Sequence, residues 1–234
     1  MTPATPLPFE IPLDSDLVLR GLEYQQDGPP VVLVHDIGGD ADSWRGIPLE
    51  LTAKGFRVMN LELRGHGLSD GEADPERTEA DLKEALSAID GSFGPVGLVG
   101  LGTVATTMFT LGPDDGAPVH ALVSPRSSEL FDSGRGVAAM RAIFAGSGDD
   151  EADGFIRSIY QRLPGQNMWF STGVDARGTD LLEANPTMIE QIAMFLRRYL
   201  TAHHLAWISD RRLETGNDPS GDIEDGQSKR AASE

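Results

Sequence analysis

Two adjacent residues carry the first chemical question, Gly102 and Thr103, in the run Gly100-Leu101-Gly102-Thr103-Val104. An apolar stretch, Val96-Gly97-Leu98-Val99, leads into this glycine-rich corner, and a small-residue, helix-compatible stretch leaves it. A strand-turn-helix corner of that kind holds one nucleophilic oxygen at the tip of a strained turn, where small neighbours give the backbone room. Laid on the pattern G-x-S-x-G, the first glycine fits, the nucleophile position holds Gly102, and the closing glycine has become Val104. Acyl transfer at such a corner needs a nucleophile, a histidine to take its proton, an acid to orient the histidine and backbone N–H donors for the oxyanion. Gly102 has no side chain to attack with. Thr103 is the nearest hydroxyl, but using it shifts the corner by one residue. Leu101 would then stand where glycine belongs, and a β-branched residue would have to take a strained φ.

The remaining reactive side chains narrow the chemistry. There is no cysteine, which excludes thiolate nucleophiles, disulfides and cysteine-ligated zinc. The five histidines are His35, His66, His120, His203 and His204, and none stands with carboxylates at a helical ligand spacing such as H-E-x-x-H. No metal or other cofactor is expected. A net charge of −18 repels nucleic acid and anionic membranes, so neither is an expected partner. A small-molecule ligand or a protein partner stays open. Of the 19 basic residues only Lys54, Lys83 and Lys229 are lysine, and the acidic excess reads as a solvated surface. No stretch approaches the roughly 20 apolar residues of a membrane span, and the start MTPATPLPFEIP lacks the basic and apolar regions of a signal peptide. A soluble, cytoplasmic protein is expected.

At 234 residues the chain suits one large α/β domain. Residues 9–26 read as an antiparallel hairpin at a sheet edge, where proline is tolerated. Val31-Val32-Leu33-Val34 is unbroken and β-branched, as in a strand covered on both faces. Further strands are predicted at Phe56–Leu61, Val119–Ser124, Met140–Gly146 and Asn167–Ser171. Helices are predicted after Asp42-Ser43-Trp44 up to Lys54 and over Pro75–Asp90, Ala152–Leu163 and Pro186–Trp207, the last with Ile189, Ile192, Phe195, Leu196, Tyr199 and Leu200 at helical spacing. This alternation predicts an α/β fold, a mostly parallel doubly wound sheet with an antiparallel N-terminal hairpin. The domain is expected over 1–208. Residues 209–234, almost without apolar side chains, are expected to form a disordered acidic tail.

VVLVHDIGG with Asp42-Ser43-Trp44, followed by LRGHGLSDG, resembles the α/β-hydrolase family, whose members carry HGxGG and D-x-R-G-x-G-x-S at these places. The resemblance covers about residues 10 to 205. The short link between Ser124 and Met140, where the family often inserts a cap domain, implies an uncapped, minimal member. It also implies site positions. Gly146-Ser147-Gly148-Asp149 matches the family's G-x-x-D and puts Asp149 at the acid position, with Asp150 as the register alternative and an ordinary helix N-cap as the bland reading. Arg177 falls where the family has its histidine, and a guanidinium keeps its proton near neutral pH, so it cannot serve as a general base. The oxyanion donors would be the backbone N–H groups of Ile37 and Thr103. Asp36 replaces the first glycine of HGxGG, which sets a carboxylate against a developing negative charge. His35, Arg64 and His66 read as loop-shaping residues. The expected outcome is a pseudoenzyme that has lost serine hydrolase activity and serves in binding or scaffolding. Its alternative is an active hydrolase of small carboxylic esters or lactones using Thr103, or a water held by Asp36 or Asp149. A transferase or lyase chemistry on the same fold is a third possibility. An ion pair between Arg177 and Asp149 is expected to close the vacated position.

Overall fold

The computed structural model describes residues 5–14, 16–129 and 131–215. Eight strands form one sheet: β1 (Leu7–Pro12), β2 (Val18–Tyr24), β3 (Pro30–Val34), β4 (Arg57–Leu61), β5 (Gly97–Leu101), β6 (Val119–Val123), β7 (Ala139–Gly146) and β8 (Gly165–Thr172). Their order is β1-β2-β4-β3-β5-β6-β7-β8. β1 pairs antiparallel with β2, and β2 with β4, while every pairing from β4 to β8 is parallel. The proline-bearing strand β1 lies on the outer edge, where a missing ladder donor costs least.

The helices are α1 (Ile47–Ala53), α2 (Thr78–Phe93), α3 (Gly102–Thr107), α4 (Asp150–Ile159), α5 (Gly178–Ala184) and α6 (Pro186–Thr215). They cover both faces of the sheet, which is why β3, β5 and β6 are buried from end to end. Side chains alternate between two cores: Leu98 of β5 joins Leu86, Val104 and Ile143 on one face, and Val99 joins Phe144, Leu196 and Trp44 on the other. Burying each such side chain stabilises the fold by about 1.5–3 kcal/mol. The link from β6 to β7 holds a single 3-10 turn, Ser133–Arg135, and no cap domain is evident among the described residues.

Several helix ends differ from the sequence expectation: α4 spans Asp150–Ile159 with a 3-10 turn at Tyr160–Arg162 after it, and a 3-10 turn at Ala41–Trp44 precedes α1. α2 runs on to Phe93, and α6 continues through Thr215, so residues 209–215 are helical where a tail was expected from 209. Tertiary contact overrides composition here. Arg211 donates to the Gly91 carbonyl at 2.8 Å and stacks 4.9 Å from the Trp207 ring. The rest of that expected tail, 216–234, lies outside the described residues. Among the described residues no helix is long and apolar enough to cross a membrane.

Candidate functional site

β5 ends at Leu101 in extended conformation, and α3 begins at Gly102 with φ +54. Glycine takes that left-handed backbone without strain, and the sharp corner read from the sequence is present. A Cβ built on Gly102 would lie 1.9 Å from Oδ2 of Asp36 and 2.4 Å from its Cγ. The space beside the tip is filled by that carboxylate.

Asp36 follows β3, which lies next to β5. Its Oδ1 accepts two backbone hydrogen bonds, from Ile37 N–H at 2.9 Å and Thr103 N–H at 2.8 Å. These are the two N–H groups that the family resemblance assigns to an oxyanion. Both are engaged by one internal carboxylate oxygen. Thr103 stands in the first turn of α3, where its carbonyl accepts from the Thr107 hydroxyl at 3.5 Å.

The loops around Asp36 are fixed by side chains bonded to the main chain and to one another. His35 is fully buried; its Nδ1 donates to the Asp36 carbonyl at 2.8 Å and its Nε2 accepts from Leu63 N–H at 3.1 Å. That pattern holds the ring neutral, and burial lowers its pKa from the ordinary histidine range. His66 donates from Nδ1 to the Arg64 carbonyl and accepts at Nε2 from Gly38 N–H. Arg64 forms a bidentate pair with the buried Asp81, both contacts at 2.6 Å. The expected loop-shaping roles of these three residues match their partners. Glu62 adds one that the sequence reading missed. Its buried carboxylate accepts from Leu68 N–H at 2.7 Å and Ala41 N–H at 3.4 Å. A lone carboxylate closing an apolar strand, in Val58-Met59-Asn60-Leu61-Glu62-Leu63, was the available signal.

A second corner lies along the same C-terminal edge of the sheet. Asp149 follows β7 and caps α4, its Oδ1 accepting from Ala152 N–H at 3.2 Å. Nε of Arg177 is 3.6 Å from that same oxygen, so the expected ion pair is present. Asp150, the register alternative, is instead the first residue of α4 and exposed. The pair is lopsided: Asp149 is fully buried, Arg177 is 51% exposed, and Oδ2 of Asp149 is buried without a partner. Both the ion-pair reading and the N-cap reading of Asp149 therefore hold at once.

Ser124 joins the two corners and was not singled out in sequence. It ends β6 with φ +49, is fully buried, and its hydroxyl accepts from Gly178 N–H, next to Arg177, at 3.0 Å. Two residues on, Arg126 N–H donates to the Gly102 carbonyl at 3.3 Å. Nothing in the local sequence marks Ser124 as left-handed. Among the described residues there is no cluster of His, Asp and Glu able to hold a metal ion.

Comparison with known proteins agrees with this fold. The model of the alpha/beta hydrolase family matches residues 31–228. A curated relative, the (E)-2-((N-methylformamido)methylene)succinate hydrolase of Acinetobacter baylyi, is 33% identical over 86 residues, which are 36% of this chain and span only 32% of that enzyme. Among solved structures, the Pyrococcus furiosus esterase Pf2001 superposes with a TM-score of 0.70 at 14% identity, covering 83% of this chain and 92% of the esterase. The enol-lactonase of Burkholderia xenovorans gives 0.64 at 14% identity, covering 80% and 99%. At these identities the superpositions speak for the fold alone.

Proposed function

The chain belongs to the alpha/beta hydrolase family, and from that premise we propose that it is a member without serine-hydrolase turnover, whose vacated site is closed by its own carboxylate and which serves in binding. One observation carries this reading: Oδ1 of Asp36 accepts from both Ile37 and Thr103 N–H. Those donors, in an active relative, would stabilise the tetrahedral oxyanion, and losing one such donor costs about 2.7–4 kcal/mol of barrier. Here both are spent. The carboxylate opposes a second negative charge as well, by about 4 kcal/mol at 4 Å with an effective dielectric near 20. The two effects add in the unfavourable direction.

The rest of the site supports the same reading. Gly102 offers no attacking oxygen, and Asp36 sits where any side chain at 102 would have to go. The two replacements fit one another. Arg177 takes the histidine position as a cation and pairs with Asp149, so the acid has a partner but no base to orient. A fluorophosphonate probe tests the proposal. No labelling of the wild-type protein is expected; labelling that disappears in Thr103→Ala would overturn it and select the threonine nucleophile.

A second reading is favoured by Oδ2 of Asp36, which makes no hydrogen bond among the described residues. Held beside Gly102, it is placed to accept from a water facing a small ester or lactone. Turnover of such a substrate that is lost in Asp36→Asn, without any fluorophosphonate labelling, would select this reading over the first.

A further inference from the structure

The two outer edges of the sheet are built differently. β1 carries Pro8, Pro12 and the charged Glu10, residue types that keep another chain from adding to an edge. β8, at the other edge, reads Gly165-Gln166-Asn167-Met168-Trp169-Phe170-Ser171-Thr172. It holds no proline and no charge over eight residues, each of them exposed or half-buried. An uncharged edge of this length is a template for a further strand.

Phe170 shows how that edge faces. It pairs with Phe144 of β7, and the two rings stack with centroids 5.0 Å apart and planes within 14°. That separation is close to the spacing of about 4.8 Å between neighbouring strands, so the rings stack along the direction in which strands are added. Phe144 is fully buried and Phe170 is 37% exposed. The ring face that Phe170 turns away from Phe144 therefore looks out from the sheet.

The occupant that suits this edge is a second copy of the chain. A net charge of −18 makes two copies repel, and β8 offers eight uncharged residues through which they can meet without setting carboxylates face to face. Identical strands paired antiparallel about a twofold axis are self-complementary. With the axis at Phe170, the ring meets the partner's Phe170 and the Phe144–Phe170 stack continues across the interface. Trp169 then stands opposite the partner's Ser171, and Met168 opposite the partner's Thr172. We propose that the protein associates with a second copy of itself by antiparallel pairing of β8 with β8, joining two eight-stranded sheets into one. The association does not depend on what the Asp36 corner does.

Sedimentation velocity of the full chain from about 5 to 500 µM tests this. A reversible dimer is expected, with a dissociation constant of about 10–100 µM because one strand pair is a small interface. Phe170→Glu should weaken it about tenfold or more, Ser171→Glu should weaken it in the same sense, and Asp36→Asn should leave it unchanged. Ser171 is exposed, so its variant keeps the test valid where Phe170→Glu unfolds the protein. The chain has no cysteine, so Phe170→Cys treated with a short bis-maleimide should give a covalent dimer, while Leu7→Cys, exposed on β1, should not. A monomer throughout the range overturns the proposal. So does a dimer that keeps its affinity in both glutamate variants, that is lost in Asp36→Asn, or that cross-links through Leu7→Cys instead.

Discussion

The two ends of the central sheet bury charge in opposite ways. At the C-terminal end, carboxylates are held by backbone N–H groups: Asp36 by Ile37 and Thr103, Asp149 by Ala152. Toward the N-terminal end, buried Arg141 of β7 reaches the carbonyls of Pro164, Phe109, Leu111 and Val137, with no carboxylate beside it. His120, its cross-strand neighbour on β6, donates from Nε2 to the Ala117 carbonyl. In both places main-chain dipoles do the work that a counter-ion would otherwise do. Neither end is complete, since Arg141 binds four carbonyls but leaves its buried Nε without a partner among the described residues, while Asp149 leaves one oxygen unpaired and leans on a half-exposed arginine. What differs is the cover: Arg141 is closed in by main-chain carbonyls, whereas Asp149 reaches a cation that faces solvent.

The largest effect is expected at Arg141. Replacing it with methionine strands several buried carbonyls, each costing about 1–3 kcal/mol, so urea denaturation should show a loss of at least about 3 kcal/mol. A loss below about 1 kcal/mol would mean that water relieves those carbonyls and would break the contrast. Next comes Gly102→Ser, which places a side chain at φ +54 against Asp36. Strain and overpacking together should cost about 2–4 kcal/mol. Adding Asp36→Gly should recover the part due to collision, and simple additivity of the two changes would contradict the proposed fit.

A smaller effect is expected from pH. Burial, together with the Arg141 charge, lowers the His120 pKa to about 3. The unfolded chain, with an ordinary histidine pKa of about 6.5, binds the proton first as pH falls. Stability should therefore be level with respect to this group above about pH 6.5 and fall by about 1.4 kcal/mol per unit between there and pH 3. His35, also lowered, adds to the slope in the same sense. Denaturation midpoints at several pH values should show a shallower fall in His120→Leu; an unchanged slope would remove His120 from the account. The smallest effect belongs to Arg177→Ala. A guanidinium 51% exposed and 3.6 Å from its partner should contribute only about 0–1 kcal/mol. A loss of 3 kcal/mol or more by urea denaturation would mean that the corner is far drier than its exposure implies.

These contrasts also separate what was legible in sequence from what was not. The sheet could be read because β3, β5 and β6 are unbroken apolar runs, a pattern that strands covered on both faces impose. Gly102 could be read because it stands at the serine position of G-x-S-x-G, at the tip of a strand-turn-helix corner. The Asp149–Arg177 pairing followed from two loops sharing one edge of the sheet. Asp36 was legible as a misplaced charge, but its occupation of both N–H donors was not, because that depends on a side-chain rotamer across two strands. Ser124, Glu62 and the Arg141 cage were missed for a related reason. Each is a single polar residue in or at the end of an apolar run, and its partners come from segments far away in sequence. The end of α6 was misread because Arg211 donates to the Gly91 carbonyl of α2, a partner far away in sequence.

The central claim is that Asp36 has taken the place of both oxyanion and nucleophile space. Its most direct test is the steady-state hydrolysis of a short p-nitrophenyl ester by the wild-type protein, by Thr103→Ala and by Asp36→Asn, each against a denatured control. No rate above that control is expected in any of the three, because on the proposed reading nucleophile, base and hole are lost together and residues that act as a unit fail as a unit. Wild-type turnover that vanishes in either variant would contradict it and identify the oxygen responsible.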